Sequence, residues 1–123
     1  MIELNKLSET IHEANVKKGF YDDPIETGTK LMLVVSELAE ALEADRKGNK
    51  AKVAQFDILV ESGHYGFAEA FKATIKDTFE DEIADAMIRL FDLAGFYKLD
   101  IEKHIALKLQ YNATRPPKHG KKY

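Results

Sequence analysis

Apolar residues recur along this chain at helical spacing, and glycine or proline stands at several of the breaks in that spacing. Leu4, Leu7, Ile11 and Ala14 mark a first helix over about residues 2–18, with Gly19 as its stop. The segment GFYDDPIETGT is then a loop, because Asp22, Asp23 and Pro24 are turn residues. Phe20 and Tyr21 are expected to anchor that loop in the core, the other use of such rings being to stack on a base. A second helix runs from Thr27 or Thr29 to Arg46 and ends at Gly48. Over residues 49–76 the period weakens to two short helices joined by a bend at 63–66, where His64 reads as a loop residue. A third helix covers about 77–98, with Asp77 or Thr78 as N-cap and acids filling its first turn. Gly95 inside it costs about 1 kcal/mol relative to alanine, which implies close packing or an early end. Asp100 caps a fourth helix over 101–112, and Pro116 and Pro117 then leave an extended tail. The pattern predicts an all-α fold in one domain of residues 1–123: a four-helix-bundle-like core, a short helical insertion and an extended basic C-terminal tail.

Two of these helices carry acids three positions apart, Glu37 with Glu40 and Glu82 with Asp85, and such pairs point the same way from a helix. Around Glu37 the same arc holds Leu33, Val34, Ala41 and Ala44, so this pair sits on or beside the apolar side. A solvated charge face fits that placement poorly. On the later helix Arg89 and Asp92 share the stripe, and an ordinary i,i+4 ion pair between Asp85 and Arg89 is the plain alternative. If the two helices pack through their apolar faces, four carboxylates converge. Like charges about 5 Å apart repel by roughly 3 kcal/mol at an effective dielectric of 20, so the cluster must protonate or hold cations. All-oxygen ligation suits Mg²⁺, with Mn²⁺ as the alternative, and points to phosphate chemistry. Glu43 continues the acid row as an outer participant or as a surface residue.

Composition narrows the setting. With 123 residues, 45% hydrophobic and 32% charged, the chain suits a single globular domain rich in helix formers. It has no cysteine, which removes disulfides and thiolate metal sites. No apolar run approaches a membrane span, and MIELNKLSETIHE lacks the features of a signal peptide, so a cytoplasmic location is expected. The net charge of −3 conceals an asymmetry: no acid follows Glu102, while Lys103, Lys108, Arg115, Lys118, Lys121 and Lys122 do. On an acidic protein this basic tail is weak evidence for nucleic acid, which is not expected as a partner. Folded over the carboxylates, it would bind a chelated polyphosphate. His12, Asn15 and Lys18 lie together on the first helix, either as its wet face or as contacts to a nucleotide base or sugar.

The pairing of SELAE with EDEIADAMIRLFDLAG, followed by KLQYNATRPPKHGKKY, resembles the MazG-like all-α nucleoside triphosphate pyrophosphohydrolases. The family pattern is EExxE followed by ExxD; here Ser36 replaces the first acid, and the 49–76 insertion lengthens the gap. The resemblance implies that Glu37, Glu40, Glu82 and Asp85 are catalytic metal ligands. It implies that Lys108, Asn112 and Arg115 follow a KxxxNxxR pattern for nucleotide phosphates, with His119, Gly120 and Lys121 continuing it. It also implies a homodimer or homotetramer that hydrolyses a nucleoside triphosphate to the monophosphate and pyrophosphate, a house-cleaning type of activity. Two other classes compete with this reading. A di-iron carboxylate bundle would need Glu-x-x-His, which neither acid pair has. A non-catalytic interaction module would use the acids only to keep helices soluble.

Overall fold

A computed structural model describes residues 3–123, and among them it contains helices and no strand. Six α-helices follow in order: α1 Leu4–Lys17, α2 Thr27–Arg46, α3 Val53–Glu61, α4 Phe67–Thr74, α5 Phe79–Phe96 and α6 Ile101–Ala113. The expected helices are all present, and the bend over 63–66 separates α3 from α4. Ile2, where the first helix is expected to start, lies outside the described residues. Gly19 and Gly48 end their helices at φ 87° and 65°, left-handed values that cost a side-chain-bearing residue energy. The tail corrects one expectation. It is not extended throughout, because two successive turns fold it: the His119 amide donates to the Pro116 carbonyl at 2.7 Å and the Lys121 amide to the Lys118 carbonyl at 2.9 Å, with Lys118 and His119 at positive φ.

Contacts divide the chain into two compact units, one spanning Pro24–Leu90 and the other comprising residues 3–23 with Phe91–Tyr123, so the boundary falls inside α5. In the first unit the buried apolar side chains are small: Val34, Ala41 and Ala44 on α2, Ala70 on α4 and Ala86 on α5. Small side chains at these positions permit close packing of helices. The start of α5 is clamped to the chain that leaves α2. The Phe79 amide donates to the Asn49 carbonyl at 2.9 Å, the Ala51 amide to Glu80 Oε2 at 2.8 Å, and Asn49 Nδ2 to the Asp77 carbonyl at 2.9 Å. Thr78 caps the helix by accepting from the Asp81 amide at 3.3 Å, one of the two residues expected in that role. The insertion is held by packing of α3 on α4, with Phe56 and Phe67 edge to face at 5.6 Å.

In the second unit Asn5 on α1 ties down the start of α6. Its amide nitrogen donates to Glu102 Oε1 at 3.0 Å, its side chain accepts from the Glu102 amide at 3.2 Å, and Nδ2 donates to Asp100 at 2.8 Å. Asp100 in turn accepts from the Lys103 amide, the cap that the sequence predicts. Gly95 marks the closest approach of α1 to the end of α5. A Cβ there would lie 2.8 Å from both His12 Cβ and the Ser8 carbonyl oxygen, and the Ser8 hydroxyl donates to the Phe91 carbonyl beside it. Close packing, rather than an early helix end, explains this glycine. Gly95→Ala is therefore expected to destabilise the chain by about 1–3 kcal/mol, despite alanine's better helix propensity, because backbone as well as side chain must move aside. Thermal unfolding checks this, and a raised midpoint would contradict it.

Candidate metal centre

One turn of α2, carrying Glu37 and Glu40, and the start of α5, carrying Glu82, bring these acids together as their spacing requires. One carboxylate oxygen each from Glu37, Glu40 and Glu82 lie within 4.8 Å of one another. Their environments differ. Glu82 is 5% exposed and Glu37 9% exposed, while Glu40 faces solvent. Asp85, the fourth expected ligand, is half-buried next to them and does not join that three-oxygen cluster, although the charges of Glu37 and Glu40 act on it. Asp77 and Asp81 make a second group with Glu82, more exposed and already used in part, since Asp81 Oδ2 accepts from the Asp77 amide at 2.9 Å.

Burial and proximity set the protonation pattern. Burial first, then hydrogen bonds to Glu37 and Glu40 and their charges, push the Glu82 carboxyl up to about 8. Asp85 is raised too, by burial and then by Asp81 and Glu37. For Glu37 burial acts upward, but hydrogen bonds from Arg89, Glu82 and Glu40 overcome it and hold the carboxyl below its ordinary value. Arg89 Nε donates to Glu37 Oε1 at 2.9 Å, so this arginine crosses from α5 to α2 and does not form the i,i+4 pair with Asp85. Glu82 Oε2 is buried without a hydrogen-bond partner among the described residues. An acceptor in that condition costs about 1–3 kcal/mol unless something fills the gap. The donor set is all oxygen, two of its three members are buried, and the orphaned atom belongs to one of them. Those are properties of a site suited to a hard divalent cation. Glu43 stands outside it as a surface residue, paired with Arg46 at 3.8 Å and Lys47 at 3.7 Å.

The other predicted residues, His64 apart, lie in the second unit. His12 Nδ1 is 2.9 Å from Asp92 Oδ1, Asp92 Oδ2 accepts from the Tyr21 hydroxyl at 2.7 Å, and Tyr21 stacks on Phe96 at 5.0 Å. Tyr21 thus anchors the loop as expected, whereas Phe20 is 62% exposed and does not. Asn15 is half-buried on α1, and His64 is an exposed loop residue. Lys108 on α6 and Arg115 just beyond it lie 5.4 and 5.5 Å from the Tyr111 ring centroid, and Asn112 Oδ1 is a second buried acceptor without a partner among the described residues. Lys121 is exposed after the paired turns of the tail. Sequence reasoning missed the roles of Arg89 and Asp92 as partners of Glu37 and His12. Their only signal was a charged row on α5 continuing past Asp85.

No family model matches the sequence, and the curated proteins and solved structures contain no match to it.

The protonation pattern has a measurable consequence. Without a cation, folded Glu82 keeps its proton until about pH 8, whereas the unfolded side chain loses it near 4.5. Its contribution to stability is therefore complete below the unfolded value and lost as pH rises through the folded one. Glu37, shifted downward, contributes in the opposite sense and is lost on acidification. In chelator-treated protein the thermal midpoint is expected to fall between about pH 5 and pH 9, and Glu82→Gln to flatten that fall. An unchanged slope in the variant would contradict the burial of Glu82 among acids.

Proposed function

We propose that this chain is a divalent-cation-dependent nucleotide pyrophosphohydrolase, converting a nucleoside triphosphate and water to the monophosphate and pyrophosphate. The observation that carries the reading is the buried, unpartnered Glu82 Oε2 in a three-carboxylate cluster on α2 and α5. The resemblance of the two acid motifs and the tail to the MazG-like enzymes supplies the reaction.

Glu37, Glu40 and Glu82 would hold the ion, with Asp85 beside them. A bound Mg²⁺ or Mn²⁺ supplies Lewis acidity toward phosphate oxygens, drawing off charge as pyrophosphate leaves. Glu40, which faces solvent, would orient an attacking water or take its proton. Glu82 must give up its proton when a cation is held, so uptake is coupled to proton release. Lys108, Asn112, Arg115 and Lys121 are assigned by the resemblance to the nucleotide phosphates, where the charges of Lys108, Arg115 and Lys121 would stabilise the transition state. His12 and Asn15 are assigned to the base or sugar. Asp92 fixes the His12 ring, so a substrate would meet it at a set angle.

Self-association belongs to the same proposal. On α2, Leu31, Val35, Leu38 and Leu42 follow one another at alternating four- and three-residue steps, each 46–52% exposed. Such a seam fits against a second helix, and its symmetric spacing lets an antiparallel copy set Leu31 against Leu42 and Val35 against Leu38.

Pyrophosphate release from a panel of ribo- and deoxynucleoside triphosphates with Mg²⁺ tests the activity. Glu37→Gln and Glu82→Gln are each expected to lose at least about a hundredfold in turnover, a transition-state loss of roughly 2.7 kcal/mol or more. Turnover at the native rate in both would defeat the metal-centre assignment. Sedimentation is expected to show a dimer or larger, and Leu38→Glu to shift it toward monomer.

A further inference from the structure

Arg89 is the one cation that ion-pairs with the carboxylate cluster among the described residues. It leaves α5 one turn after Asp85, passes that neighbour, and donates from Nε to Glu37 Oε1 at 2.9 Å. The pair is lopsided: the Glu37 side chain is 11% exposed, the Arg89 side chain 42%. The contact uses the inner nitrogen of the guanidinium. No other hydrogen bond or ion pair engages the two terminal amino groups among the described residues. A side chain with one donor on a buried carboxylate and a free outward fork matches the planar, bidentate geometry by which arginine takes a phosphate.

A positive charge lodged on Glu37 also has a cost for any other cation. Glu37, Glu40 and Glu82 offer oxygens within 4.8 Å of one another, so an ion among them would lie within several ångströms of the guanidinium. Two cations at such a distance repel, and both draw on the charge of Glu37. We propose that Arg89 is a built-in counter-ion that opposes divalent-ion binding at Glu37 and offers its outward fork to a phosphate of the substrate. Rested on the metal-centre reading above, this gives the ion and the nucleotide a common gate. The ion binds more weakly alone than with a phosphate, because the phosphate neutralises the guanidinium that repels it.

The alternative for Arg89 is purely structural: it holds Glu37 in the pose that a metal needs. The two roles predict opposite signs. Mn²⁺ binding by calorimetry, on chelator-treated protein without nucleotide, separates them. Arg89→Met, which keeps the aliphatic stem, is expected to bind Mn²⁺ about three- to tenfold more tightly than the native chain. Arg89→Lys, which keeps the charge, is expected to stay near the native affinity. With saturating Ca²⁺, Arg89→Met is expected to bind a nucleoside triphosphate about tenfold more weakly. Circular dichroism verifies that the variants fold, and Arg89→Gln replaces Arg89→Met if the latter does not. Mn²⁺ affinity equal to or weaker than native in the neutral variant overturns the inference while leaving the metal centre standing. Unchanged nucleotide affinity also overturns it. A native chain that binds no Mn²⁺ overturns the metal-centre reading itself, and this inference falls with it.

Discussion

Burial of carboxylates from α2 and α5 beside one another is the constraint on which the Pro24–Leu90 unit depends. Taking an ionised carboxylate out of water costs several kcal/mol even after relaxation, and placing another acid beside it adds repulsion. The unit meets that cost in two ways: Glu82 keeps a proton, and Glu37 takes the Arg89 guanidinium. Neither device satisfies every atom, since Glu82 Oε2 remains buried without a partner. A sequence selected for stability alone would place leucine or alanine there. Stability given up at a definite location is the common signature of a site kept for chemistry.

Holding such a cluster requires that the helices neither separate nor slide. Alanine at 41, 44 and 86 supplies a small-residue interior, and the short span between α2 and α3 is stitched to the start of α5 by backbone and side-chain hydrogen bonds. These contacts fix the register in which Glu82 enters, because Thr78, Phe79 and Glu80 precede it directly. The α3 and α4 insertion belongs to the same unit and shares in the stitching, as the Lys52 amide donates to the Thr74 carbonyl at 3.0 Å.

The second unit solves a different problem, the docking of α1 on its neighbours with little apolar surface. Gly95 lets backbones approach, Ser8 fills the space with a hydroxyl bonded to a carbonyl, and Asn5 caps α6 from across the unit. His12, Asp92 and Tyr21 then form a connected polar group against Phe96, in which each member fixes the next. Fully engaged networks of this kind impose orientation more than they add stability.

Helix existence and limits were legible in the sequence, because they follow from local rules: apolar period, glycine stops at 19 and 48, the Thr78 and Asp100 caps, and prolines at 116 and 117. The convergence of Glu37, Glu40 and Glu82 was legible as well, since acids on the apolar side of two helices meet if those sides pack. Ionisation and partner choice were not. Asp85 next to Arg89 is the natural local pair, yet Arg89 reaches a carboxylate 52 positions away. A guanidinium gains more from a buried anion than from a wetter one, and burial is set by the packed helices rather than by sequence neighbours. The same holds for Phe20 and Tyr21, adjacent and chemically alike, of which only Tyr21 finds an acceptor and a ring to rest on. Local spacing determined which face each residue occupies; the tertiary structure decided which of those faces loses its water, and with it which charges persist.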